Sequence, residues 1–265
     1  MHDLKGLKEF GKFLTFRSKR RLTISVILLA IIPSTLLFYV PLEIRYLYVI
    51  GLMLLAIVPM YGAVQLITGS AIQLIRMALY NRKHKPKEVY FPEVKSIAKK
   101  MGFDYDKPIY VTENPDVKSA CVNLYTKKIT IHSSSFNECH RSEILAIIGH
   151  ELGHIKNNGK YQKEIVLASL APVGLIFGLV FFTQIFGLAY IPIFIQIGSY
   201  ALMMLMLGYV FWRNEFRADV ESAKTVGAAP LIAVFELFQS QVKKDEGSDT
   251  HPPLHERIRR LESFL

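Results

Sequence analysis

Cysteine is scarce: the 265 residues hold only Cys121 and Cys139, and neither belongs to a CxxC-type pair. That excludes a disulfide scaffold and a cysteine-based zinc module, and both side chains are expected as free thiols. Internal repeats and low-complexity tracts are also lacking, which excludes a solenoid. Charge is missing from three long stretches, residues 22–42, 46–75 and 165–212, none of which contains Asp, Glu, Lys or Arg. A helix rises about 1.5 Å per residue and the bilayer's hydrocarbon core is about 30 Å thick, so about 20 apolar residues span it. The first two runs therefore read as one helix each, and the third as two, broken near Gly187 and Pro192. Stretches so free of charge offer no polar surface to a small soluble enzyme, so four transmembrane helices are expected.

Acidic residues are outnumbered, 22 against 32 basic ones, for a net charge of +10. The excess does not describe a nucleic-acid surface, because it flanks the apolar runs. Lys5, Lys8, Lys12, Arg17, Lys19, Arg20 and Arg21 precede the first, and Arg76, Arg82, Lys83, Lys85 and Lys87 follow the second. The turn between spans one and two carries only Glu43 and Arg45, and that between three and four carries no charge. The positive-inside rule then predicts a multi-pass cell-membrane protein whose N-terminus, central insert and C-terminus are cytoplasmic, its basic residues touching anionic lipid heads. The first run is too long for a signal peptide, lacks a small-residue cleavage pattern and leads directly into a second run, so it reads as an uncleaved span.

Five segments follow: a basic amphipathic lead-in (1–21), a transmembrane hairpin (22–75), a cytoplasmic region (76–164), a second hairpin (165–212) and a cytoplasmic C-terminal part (213–265). In the insert, residues 89–101 have helical character and end at Gly102, while 108–112, 119–123 and 128–132 read as strands. A helix over 141–156, with Ile144, Leu145, Ile148, Leu152 and Ile155 along one stripe, is expected to stop at Asn157-Asn158-Gly159. Beyond the fourth span the pattern predicts a helix over 214–225, a second from Pro230 to Lys244, and a short last one from Pro253 that turns Ile258, Leu261 and Leu265 inward.

The chemistry is concentrated in His150-Glu151-Leu152-Gly153-His154. Histidines four residues apart on a helix face the same way and can grip one zinc, and the glutamate between them is placed to take a proton from water there. A catalytic zinc needs a third protein ligand. Glu215, just past the fourth apolar run, suits that role, although a plain charge at the cytoplasmic end of a span is an equal reading. Asp219 lies one helical turn further on the same face and suits a carboxylate that accepts a hydrogen bond from a liganding histidine.

HELGH, then Glu215-Phe216-Arg217-Ala218-Asp219 about 60 residues on, then His251-Pro252-Pro253-Leu254-His255-Glu256-Arg257, resembles in order and spacing the membrane zinc metalloprotease family that includes HtpX and the CAAX prenyl proteases. The likeness runs from about Arg76 onward, and four spans are closer to the HtpX branch. The resemblance implies a mainly α membrane protein with a cytoplasmic α+β zincin-type domain, and one Zn2+ per chain on His150, His154 and Glu215. It further implies Glu151 as general base, Asp219 as support to a ligand, His251 as the group that steadies the tetrahedral intermediate, and Arg257 as the accompanying arginine. Membrane proteins or peptides are the implied substrates, and a stress-response or quality-control role comes from the HtpX branch. The chain departs from the pattern at 119–123, where the family often carries an Asn-Ala-Phe-like stretch. The rival readings are a prenyl-peptide protease, a site-2-type intramembrane protease, disfavoured by the absence of an aspartate in the apolar runs, and a non-catalytic membrane scaffold. Oligomeric state is left open.

Overall fold

The computed structural model describes residues 86–113, 120–185, 191–241, 247 and 250–265. Two compact units interleave along the sequence, residues 1–70 with 165–209 in one and 71–164 with 210–265 in the other. All the residues of the chemical motifs belong to the second.

That unit is built on a mixed four-stranded sheet of β1 (Lys87–Val89), β2 (Ile109–Thr112), β3 (Ala120–Asn123) and β4 (Lys128–His132), in the order β1-β2-β4-β3. The central pair β2 and β4 is parallel, Ile109 opposite Ile129, and the outer strands are antiparallel to their neighbours. β3 is thus an edge strand. Its turn into β4 is set by Asn123, whose Oδ1 accepts from the backbone N–H groups of Tyr125 and Thr126 at 3.0 and 2.9 Å. Such a side chain mimics a turn carbonyl, which fixes the hairpin register.

Helix α1 (Pro92–Lys100) starts with proline in its first turn, carries Glu93 there and Lys99 and Lys100 in its last, and gives way to Gly102 at φ +90°. Each choice suits the helix dipole or a left-handed stop. Its Val94, Ile97 and Ala98 join Ile109, Ile129 and Ile131 in the core. A short α2 (Ser133–Glu138) follows β4. Helix α3 (Arg141–Ile185) opens with Glu143 accepting from the His140 N–H at 2.8 Å, one half of a capping box, and lays Ile144, Ile148, Leu152 and Ile155 into the same core. Helix α4 (Ile191–Thr225) ends before Gly227, at φ +120°, and α5 (Ala228–Gln241) and α6 (Leu254–Leu261) complete the unit.

Three expectations differ from what is observed. α3 does not stop at 157–159: Asn157 folds its amide back onto the Gly153 carbonyl at 2.8 Å, so a residue that favours helix ends is absorbed within the helix. Val89, expected to begin a helix, instead ends strand β1 opposite Ile109, and the helix starts at Pro92. Leu265 is 79% exposed rather than turned inward, since the chain leaves α6 through a 3-10 turn. The first expected hairpin, 22–75, lies outside the described residues, as do 186–190 and most side chains from 171 to 201. Among the described residues no helix is long and apolar enough to cross a membrane.

Candidate metal centre

The centre exists because α3 and α4 touch backbone to backbone. Gly149 and Gly153 on α3 face Ser222 and Ala218 on α4, four residues apart on each helix. A Cβ on Gly153 would lie 2.8 Å from the Cα of Ala218, closer than packed carbons tolerate. Ser222 adds a buried hydrogen bond to the Ala146 carbonyl at 2.7 Å. Small residues at that spacing let the acids of α4 reach the histidines of α3.

At this contact the Nε2 atoms of His150 and His154 lie 3.1 Å apart. Glu215 places Oε1 3.3 Å from His154 Nε2 and Oε2 3.6 Å from His150 Nε2. Two donors held about 2.0–2.1 Å from a tetrahedral zinc are about 3.3–3.4 Å apart, so the three side chains stand close to the spacing that one such ion requires. Two imidazole nitrogens and one carboxylate also form a donor set of the open, catalytic kind. These three residues could together hold a metal ion.

The opposite edge of each imidazole is also engaged. Asp219 Oδ1 lies 2.9 Å from His150 Nδ1, and Asn214 Nδ2 lies 2.9 Å from His154 Nδ1. Arg257 on α6 is buried. It donates through Nε and Nη2 to the two oxygens of Asp219, at 2.8 and 2.6 Å, and brings Nη1 to 3.3 Å from Glu215 Oε2. The face of Phe235 on α5 lies 4.1 Å from its guanidinium carbon, and Arg260 sits 3.6 Å above Phe216 of α4, so α6 is fastened to both neighbouring helices. His251 reaches Glu215 Oε2 with Nδ1 at 3.3 Å while remaining 63% exposed. Glu151 is buried.

The electrostatics follow this arrangement. Burial works against ionisation of Glu215, but His154, His251 and Arg257 outweigh it and hold its carboxyl well below the usual range. Burial likewise opposes the charge of Asp219, and Arg257 with His150 keeps its pKa low. For Arg257, burial is overcome by Asp219, Glu215 and Glu151, which raise its pKa further. Burial pushes the Cys121 thiol on β3 up to about 12, with a smaller contribution from the charge of Glu151. Neither Cys121 nor Cys139 is in a disulfide.

The family model for peptidase family M48 matches residues 91–265, from the start of α1 through every residue of this centre. The chain belongs to peptidase family M48. Among curated relatives, Protease HtpX of Idiomarina loihiensis is 23% identical over 212 residues, covering 68% of this chain and 73% of that protein. Protease HtpX homolog of Tropheryma whipplei is 24% identical over 192 residues, covering 59% and 66%. Among solved structures, Ste24p of S. mikatae aligns over 92% of this chain and 67% of its own, at 20% identity and a TM-score of 0.49. The family match and the two HtpX relatives bear out the HtpX-like M48 metalloprotease expected from the motifs.

The sequence motifs point to His150, Glu151, His154, Glu215, Asp219, His251 and Arg257, and apart from Glu151, which is buried and whose charge acts on Arg257 and Cys121, each makes a contact described above. They do not point to Asn214, which adjoins Glu215, or to the paired small residues at 149/153 and 218/222, although the four-residue spacing of those pairs is visible in the sequence itself.

Proposed function

We propose that this M48 protein is a zinc endopeptidase of the cell membrane that cleaves membrane or membrane-associated proteins at the cytoplasmic face, in membrane protein quality control. The observation that carries the peptidase chemistry is the convergence of His150 Nε2, His154 Nε2 and the Glu215 carboxylate. Zinc, when bound there, supplies Lewis acidity that lowers the pKa of water and polarises a peptide carbonyl. Glu151, one residue from His150 and shielded from solvent, takes the proton of the attacking water and returns it to the leaving amine. His251 reaches the centre from the solvent side and donates to the developing oxyanion. Asp219, ionised by Arg257, holds His150 in the tautomer that leaves Nε2 free for the metal. β3, an edge strand, offers backbone groups to an extended peptide, which suits unfolded or protruding segments. The membrane address and the anionic-lipid contacts rest on the uncharged runs and the basic clusters beside them.

The test is Glu151→Gln in the full-length detergent-solubilised protein. It should bind one zinc per chain as the parent does and lose hydrolysis of an unfolded membrane substrate. Equal cleavage by parent and variant, or a parent with no stoichiometric zinc, refutes the reading.

A further inference from the structure

His154 and His150 turn their Nε2 atoms toward each other and toward Glu215. A neutral imidazole that binds metal through Nε2 carries its proton on Nδ1, and that N–H needs an acceptor. His150 has one in Asp219. His154 faces the Asn214 amide at 2.9 Å, but through Nδ2, itself a donor. Two N–H groups cannot share that line. On the other side of the same buried amide, Asn214 Oδ1 has no hydrogen-bond partner among the described residues. An asparagine amide turned by half a revolution occupies the same volume with oxygen and nitrogen exchanged.

We propose that Asn214 is the positioning residue of His154: with metal bound, its Oδ1 faces His154 Nδ1, accepts that proton and fixes the ring with Nε2 toward the ion. This rests on the metal reading above. The packing register supports it. Gly149 opposite Ser222 and Gly153 opposite Ala218 step in opposite directions by four, and the next step along α4 is Asn214, whose amide meets His154. Asn158 Oδ1 is a second buried acceptor without a partner among the described residues. The two histidines then have unlike supports, an anion for His150 and a neutral amide for His154. A neutral acceptor is the economical choice, since Glu215, Asp219 and Glu151 already surround one guanidinium.

The experiment measures zinc affinity of the full-length solubilised protein by chelator competition, for the parent, Asn214→Leu and Asn214→Asp, with the thermal midpoint of each metal-free form as a fold control. Asn214→Leu should weaken zinc binding by roughly 10- to 100-fold, as loss of a ligand's hydrogen-bond partner does, and Asn214→Asp, which restores an acceptor, should recover most of it. A parent that binds no zinc overturns the metal reading and this inference with it. A parent that binds zinc while Asn214→Leu binds equally well overturns the inference alone. A readout on the parent needs no variant to fold: with 15N-labelled histidine and zinc bound, His154 should show a slowly exchanging proton on Nδ1 and a metal-shifted Nε2. Metallation through Nδ1 refutes the assignment.

Discussion

Replacing Gly153 by alanine tests whether the metal centre depends on contact between two helix backbones. The added Cβ would sit 2.8 Å from Ala218 Cα, 3.0 Å from its carbonyl oxygen and 3.3 Å from its carbonyl carbon. Packed carbons rest about 3.5–4.0 Å apart, and backbone atoms cannot swing aside, so α3 and α4 must part by about 1 Å. Glu215 moves with α4 and the histidines with α3, so the 3.3 and 3.6 Å ligand separations open by a similar amount. Overpacking costs about 1–3 kcal/mol, offset by about 1 kcal/mol from exchanging a helical glycine for alanine, so the net loss of stability is about 0–2 kcal/mol. Displacement of about 1 Å at a reacting centre costs on the order of 100-fold in rate, so peptide hydrolysis should fall far more than the thermal midpoint does. Gly159 is the internal control. It lies in the same helix with nothing within 4 Å of the place a Cβ would take, so Gly159→Ala should gain about 1 kcal/mol and leave activity unchanged. If Gly153→Ala behaves like Gly159→Ala in both assays, the close approach is not what assembles the site.

Removing the guanidinium with Arg257→Met leaves Glu215 and Asp219 buried without their cation, and the metal-free protein should lose about 3–5 kcal/mol in denaturant unfolding; a loss below about 1 kcal/mol contradicts the network. His251→Ala should lower kcat by roughly 100- to 1,000-fold without moving the thermal midpoint, because the ring is largely exposed; an unchanged kcat removes His251 from the chemistry. Glu164 accepts from Arg217 at 2.7 Å through both oxygens; burial raises its pKa, but Arg217, Arg213 and Lys160 prevail and lower it from 4.5. A lowered folded-state value means the pair stabilises fully above the unfolded pKa and loses that contribution as pH falls through the folded one. Unfolding of parent and Glu164→Gln should therefore differ at neutral pH, by about 1 kcal/mol in this partly solvated setting, and converge in acid; a gap that persists at low pH refutes the pairing.

The part of the site that was legible in sequence is the part fixed by helical spacing. His150 and His154 share a face because they are four apart, as do Glu215 and Asp219. Strand β4 was legible because its Ile129 and Ile131 alternate, and α6 because Pro253 marks its start. What was not legible depends on partners distant in sequence. Helix α3 runs through Asn157-Asn158-Gly159 because Asn157 bonds within the helix and α4 packs alongside, and the second of these is not local. β1 is a strand only because β2 lies beside it. Arg257 was reached only through the resemblance, because nothing in its own segment announces the two acids of α4 that draw it inward.

The position of Arg257 in chain order bears on when the centre is complete. A nascent chain made only as far as α5 already holds both histidines, Glu151, Glu215 and Asp219, yet lacks the guanidinium that neutralises the two buried acids and the His251 that flanks them. Without Arg257, Glu215 and Asp219 would be buried carboxylates lacking that cation, a costly arrangement. The complete set of contacts at the centre therefore forms only once α6 has docked.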